Sequence, residues 1–161
     1  MDNSNFELFQ DKFVLVVEPT ATTRTKLAKA FSSLGLHVLA AENAKDALGM
    51  IDHFKSPALA IIELILSDMT GGQLATILTE TYRCPIIFTT SNSDPAQIAK
   101  LLDLGAEDVV CKPFDAREVA ARASRILIRQ QRPAPYTNAA PVSRQQFANQ
   151  RQLHKQPISR Q

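Results

Sequence analysis

The sequence predicts an α/β fold, in which a doubly wound, five-stranded parallel sheet carries helices on both faces. Five short apolar runs recur at roughly regular spacing, and all but the second lack polar alternation. Strands that are buried on both faces show such runs, and strands that alternate with helices are typical of parallel sheets. The predicted strands are FVLVV (13–17), HVLAA (37–41), LAII (59–62), IIFTT (86–90) and DVVC (108–111).

A helix is predicted after each strand, because apolar residues recur there at intervals of three and four. The sets that share a face are Leu27, Phe31 and Leu34; Ala47, Leu48, Ile51 and Phe54; Leu74, Ile77 and Leu78; Ile98, Leu101 and Leu102; and Val119, Ala123, Ile126 and Leu127. Boundary residues agree with this pattern. Gly35 and Gly105 are expected to end helices, and Pro95 to begin one after an Asp94 N-cap.

The composition is typical of a globular protein, with 45% hydrophobic and 21% charged residues among 161. No apolar run approaches the roughly 20 residues of a membrane span, and the acidic start lacks the apolar segment of a secretory signal. We therefore expect a cytoplasmic protein with no membrane association. Cys84 and Cys111 have no metal-ligand spacing, so we interpret them as free thiols.

The net charge of +2 conceals an asymmetry along the chain. Residues 1–118 contain 10 of the 18 basic residues and all 16 acidic ones, a formal charge of −6. Residues 119–161 contain the other eight basic residues and no acid. The pattern predicts an N-terminal extension (1–11), an α/β domain (12–131) and a flexible, basic, Pro/Gln-rich tail (132–161).

Polar residues stand where the predicted strands end. Glu18 follows the first strand, Glu63 the third, Thr90 and Ser91 end the fourth, and Lys112 follows the fifth. Any strand end must turn polar, but parallel strands bring their carboxyl ends to one edge of the sheet, where the functional crevice of such folds lies. We therefore expect Glu63 to emerge at this crevice and to pair with Lys112, rather than to lie unpaired in the core.

Four segments together resemble the receiver domain of two-component response regulators. They are FVLVVEP, AIIELILSDMTGGQL, PIIFTTS and VVCKPF, and they match the landmark segments of receivers in order and spacing. The resemblance implies the flavodoxin-like (βα)5 fold with strand order 2-1-3-4-5. It also implies a phosphoryl switch at the crevice and a docking face formed by the fourth helix, fifth strand and fifth helix.

The sequence departs from receivers at the metal and phosphoryl positions. Receivers carry two adjacent acids after the first strand, which hold Mg²⁺; here they are Glu18 and Pro19. The phosphoryl-accepting Asp is here Glu63, whose extra methylene moves the carboxylate by roughly 1.5 Å. An error of about 1 Å can cost a hundredfold in rate. We expect weak or absent Mg²⁺ binding, no other metal or cofactor, and a poor phosphoacceptor.

A third departure concerns the switch. Receivers usually carry an aromatic residue three positions before the lysine, and here it is Val109, which has no ring to swing. Thr90 and Lys112 are retained. Asp68 could substitute as an acid, but we interpret it as a turn residue in a Gly-containing loop. The three departures together predict a degenerate receiver, or pseudo-receiver.

The tail combines Arg with aromatic residues, notably Arg132, Arg144, Phe147 and Arg151. Such residues can hold phosphates and stack on bases. The composition is similar to that of Arg-rich extensions by which some atypical bacterial receivers bind cyclic di-GMP. The alternative is a solvated tail that docks on an acidic partner or on its own acidic domain.

The sequence thus predicts a stand-alone, non-enzymatic module of bacterial phosphorelay-type signal transduction. It would act by phosphorylation-independent docking to a protein partner, such as a kinase, a motor or a regulatory assembly. Two alternatives stay open: a cyclic di-GMP or other anionic-nucleotide effector, and an unusual receiver that does accept phosphate. The tail is not expected to form a helix-turn-helix unit, so DNA is not an expected partner.

Overall fold

A computed structural model of the protein describes residues 9–52 and 56–132, and it confirms the predicted α/β fold. Strands and helices alternate along the whole domain. In chain order they are β1 (Phe13–Val17), α1 (Ala21–Ser32), β2 (His37–Ala41), α2 (Ala44–Ile51), β3 (Leu59–Glu63), α3 (Gly71–Tyr82), β4 (Ile86–Thr90), α4 (Pro95–Asp103), β5 (Asp108–Cys111) and α5 (Ala116–Gln131).

The sheet has the expected order β2-β1-β3-β4-β5, and every neighbouring pair is parallel. The register aligns the carboxyl ends of the central strands. Glu63 on β3 is level with Thr89 on β4, and Thr90 on β4 is level with Cys111 on β5. The residues that end or follow these strands therefore lie along one edge of the sheet.

Each face of the sheet has its own hydrophobic core. β1 contributes Val14 and Val16 to one core and Leu15 and Val17 to the other, because successive side chains of a strand point to opposite faces. The first core is covered by α1 and α5, and the second by α2 and α3. Phe9, in the predicted N-terminal extension, is fully buried in the first core.

The predicted helix boundaries are present. Gly35 and Gly105 follow α1 and α4 with φ of 84° and 101°, a left-handed conformation that glycine adopts without strain. Asp94 accepts a hydrogen bond from the Ala96 amide and caps α4, which begins at Pro95. Within the described ranges, no helix is long and apolar enough to cross a membrane.

The helix α4 is amphipathic, but its apolar face is less buried than expected. None of its residues is fully buried, and Leu102 remains 42% exposed although it was predicted on the apolar face. Leu104, just after the helix, is 75% exposed. By contrast, α3 buries Leu74 and Leu78 completely. The apolar stripe of α4 is therefore covered only in part by the domain itself.

Candidate functional site

The first component of the site is Glu18, directly after β1. Its side chain is almost fully buried, at 1% residue exposure. Oε1 accepts a hydrogen bond from the Thr20 amide at 2.8 Å, and Oε2 lies 2.7 Å from the Lys112 ammonium. The Arg24 guanidinium donates to the carbonyl oxygens of Glu18 and Pro19. The carboxylate is therefore held by a loop whose backbone is itself fixed.

Glu63 is the second component and ends β3 with 6% exposure. Oε1 accepts from the Ile65 amide at 3.2 Å, and Oε2 lies 2.6 Å from the Lys112 ammonium. The start of α3 passes close by, because the Gly71 amide donates to the Leu64 carbonyl at 2.9 Å. A Cβ at Gly71 would clash with the Glu63 carbonyl oxygen, so this approach requires glycine.

Lys112 joins the two acids into one ionic triad, Glu18–Lys112–Glu63. Its amide donates to the Thr90 carbonyl at 2.7 Å, and a cis peptide bond links it to Pro113. Burial of the ammonium acts to lower its pKa, but hydrogen bonds to the two carboxylates outweigh this and raise the pKa above its usual value of 10.5. An unpaired carboxylate at the end of a buried, apolar strand would be costly. Glu63 can be buried there because the Lys112 ammonium is beside it.

The two other predicted switch residues lie on β4 and β5. Thr90 is buried, and its hydroxyl accepts a hydrogen bond from the Asn92 amide at 3.0 Å, which shapes the loop after β4. Val109 is half-buried and packs against the second core. Their roles in a switch stay predictions.

Asp68 does not join the triad but caps α2 from a distance in sequence. Its carboxylate accepts hydrogen bonds from the amides of Ala44 at 3.1 Å and Lys45 at 2.7 Å. The bond from Lys45, followed by the weaker effect of the other amides, lowers the pKa of Asp68 below its usual 3.8. The residue does lie in a bend, as expected, closed by a bridge between Ile65 and Thr70. No local sequence signal indicates the long-range cap.

The residues present do not fit Mg²⁺. Pro19 offers no side-chain ligand, and both Glu18 and Glu63 direct Oε2 at the same ammonium. In the part of the chain that the structure describes, no group of three or more His, Cys, Asp or Glu side chains could hold a metal ion. A divalent cation needs several oxygen ligands at once, and here the charge of both carboxylates is already matched in part by Lys112.

The predicted tail site is largely outside the described residues. Arg132 is exposed just after α5. Arg144, Phe147 and Arg151 lie beyond residue 132, so their part in ligand binding stays a prediction.

The chain is similar to known signalling proteins over most of its length. Residues 14–124 match the family model described as the response regulator receiver domain. The phosphate regulon transcriptional regulatory protein PhoB of Pseudomonas aeruginosa is 32% identical over 134 residues, which cover 81% of this chain and 57% of that protein. A probable transcriptional regulator, ycf27, of Guillardia theta is 31% identical over 116 residues, 72% of this chain and 45% of that protein.

The fold is also similar to solved structures of other proteins. A two-component response regulator from Clostridium difficile has 25% sequence identity and a TM-score of 0.69, with coverage of 76% of this chain and all of that one. The chain spans about half the length of the curated relatives it matches. The family model, these relatives and the shared strand order together show that the chain belongs to the receiver domain family of response regulators, the proteins of two-component signalling.

Proposed function

We propose that this receiver is degenerate and acts by docking to a protein partner without being phosphorylated. The observation that carries the proposal is the ionic triad: the Lys112 ammonium lies 2.7 Å from Glu18 and 2.6 Å from Glu63. The position that accepts phosphoryl in receivers is thus a glutamate already engaged by a cation. Non-enzymatic signalling in a phosphorelay pathway follows as part of the proposal.

The triad is a poor starting point for phosphoryl transfer. In-line transfer depends on positioning and on metal ions that neutralise the developing charge. Here Glu63 is held by Lys112 and by the Ile65 amide, and Pro19 removes one of the two acids that hold Mg²⁺ in receivers. The charge at the crevice is therefore set by the sequence and not by a modification. Glu63 supplies one negative charge at this position, less than a phosphoryl group would supply.

The face implied by the resemblance supports docking. Leu102 and Leu104 at the end of α4 are 42% and 75% exposed, and α4 has no fully buried residue. Exposed apolar residues that lie close together mark interaction sites more often than isolated ones do. We place a kinase, motor or regulatory assembly at the face formed by α4, β5 and α5.

Mass spectrometry tests the proposal. We expect no adduct of about 80 Da, the mass of one phosphoryl group, after incubation of the chain with acetyl phosphate and Mg²⁺. The double variant Pro19→Asp/Glu63→Asp is the matched positive control, because it supplies the missing second acid and replaces Glu63 with the aspartate that receivers carry. An adduct on the wild type that disappears in Glu63→Gln would show that this receiver does accept phosphate, the alternative that the sequence leaves open.

A second candidate function rests on charge asymmetry. Residues 119–161 carry eight basic residues and no acid, which favours an anionic ligand such as cyclic di-GMP. Calorimetry with cyclic di-GMP should compare the full chain with a chain that ends at residue 132. Binding that needs the tail would support the effector function, and equal heats of dilution from both chains would reject it.

A further inference from the structure

A groove runs between α1 and the start of α5. Two adjoining cavities of about 300 and 640 Å³ share Lys26, Phe114 and Ala116. The smaller one reaches Lys112, and the larger one reaches Lys29 on α1. We call this the α1–α5 groove and define it by Lys26, Lys29, Ala30, Phe114, Ala116 and Arg117.

The groove is basic although residues 1–118 carry a net charge of −6. Lys26 and Lys29 are exposed and lie three residues apart on α1, and neither forms an ion pair with a described residue. The acid that lines the groove, Asp115, is bound by the Arg117 guanidinium, with Nη2 at 2.6 Å. Hydrogen bonds from Arg117 lower the pKa of Asp115 to about 2. Asp115 and Arg117 thus neutralise each other, and the two lysines supply the excess positive charge.

The floor of the groove is apolar. Phe114, Ala30 and Ala116 pack against the first core and are only partly buried. A free phosphate would be favoured by convergent amides or by an open Arg fork, but the fork of Arg117 is occupied by Asp115. Two lysines that line the same cavity as these apolar side chains instead match a peptide that alternates carboxylates with an apolar side chain.

We propose that the α1–α5 groove binds an acidic linear segment of a partner protein. Asp or Glu side chains of the segment face Lys26 and Lys29, and an apolar side chain rests on Phe114. The acidic residues lie toward Lys29, because the ionic triad at the other end has one more negative than positive charge. The inference rests on the proposed docking function and adds to it the chemistry of the partner.

Nuclear magnetic resonance on the full-length, ¹⁵N-labelled chain tests the groove. The probe is a short synthetic peptide of Glu residues around a central Leu pair, titrated to saturation. We expect saturable shift changes confined to residues 23–30 and 113–117. Lys26→Gln/Lys29→Gln should weaken binding roughly threefold to tenfold, as expected for two exposed ion pairs. Lys45→Gln/Lys100→Gln, which removes the same charge from other exposed sites, should leave the affinity within about twofold.

Four results would overturn the inference. Shifts that map to residues 133–161, or an equal loss in both double variants, would show unspecific attraction to basic residues. Equal affinity for a peptide with Ser in place of Leu would reject the apolar floor. If inorganic phosphate displaced the peptide at a concentration below that of the peptide, the groove would be a phosphate site. Each of these leaves docking through the face of α4, β5 and α5 intact, whereas an acyl phosphate on Glu63 would defeat the proposed function and leave this peptide map unchanged.

Discussion

The ionic triad and the α1–α5 groove are neighbours that differ in the burial and pairing of their charged side chains. In the triad, the carboxylates of Glu18 and Glu63 are buried, and both contact one ammonium within 2.7 Å. In the groove, Lys26 and Lys29 are exposed and form no ion pair with a described residue. A buried charge without a partner costs several kcal/mol, whereas water solvates an exposed one. Buried charges must therefore be matched within the fold, and exposed charges remain free for a ligand.

Removal of the shared cation should have the largest effect. Lys112→Met leaves two buried carboxylates close together, and breaking such a pair costs about 3–5 kcal/mol when fully buried and less at a partly open edge. Urea unfolding at neutral pH should show this loss as a lower midpoint. Lys100→Met, at an exposed lysine on α4, is the control and should stay within about 0.5 kcal/mol of the wild type. Equal unfolding midpoints for the wild type and Lys112→Met would mean that the triad does not stabilise the fold.

Alkaline pH should weaken the triad in the intact chain. The pKa of Lys112 is raised in the folded state, so its contribution to stability is fully present below the unfolded value of 10.5 and is lost as pH rises through the folded value. We expect the difference in unfolding free energy between the wild type and Lys112→Met to be constant from neutral pH to about 10 and to decrease above it. A difference that does not change at high pH would indicate that the ammonium is not engaged by the acids.

Asp68 is exposed like the groove lysines, but its carboxylate has hydrogen-bond partners like the triad. It therefore separates the effect of burial on stability from the effect of pairing. Its pKa is lowered by the amides of Lys45 and Ala44, so its contribution is present above the unfolded value of 3.8 and is lost as pH falls through the lower, folded value. We expect Asp68→Asn to lower the melting temperature at neutral pH by less than Lys112→Met does, with the difference from wild type vanishing in acid. Asp103→Asn, at the end of α4, is the charge-matched control. If both variants melt alike at neutral pH, the cap does not stabilise α2.

The smallest effect on stability is expected in the groove. Lys26→Gln/Lys29→Gln removes two exposed charges that form no ion pair with a described residue, so the unfolding free energy should change by less than about 0.5 kcal/mol. Thermal melts of the wild type and the double variant, at two salt concentrations, measure this difference in unfolding free energy. A clear loss of stability would show that the lysines support the fold, and it would weaken the contrast with the triad.

Much of the fold could be inferred from local patterns. The apolar runs mark β1 to β5, and Gly35 and Gly105 mark helix ends, because these signals depend on main-chain conformation and on which side chains avoid water. The ion pair between Glu63 and Lys112 could also be predicted from the sequence, since parallel strands bring their carboxyl ends to one edge of the sheet. That inference needed the order of the strands but no detail of side-chain packing.

Other features required the packed molecule. Asp68 reaches amides 23 and 24 residues away, and the groove combines Lys26 and Lys29 with Phe114 from the other end of the domain. The exposure of Leu102 depends on how deeply α4 packs against its neighbours. Periodicity states which face of a helix is apolar, but not how far that face is covered or which polar groups meet across it. Those outcomes depend on the positions of whole helices relative to one another, which result from the sum of many weak contacts.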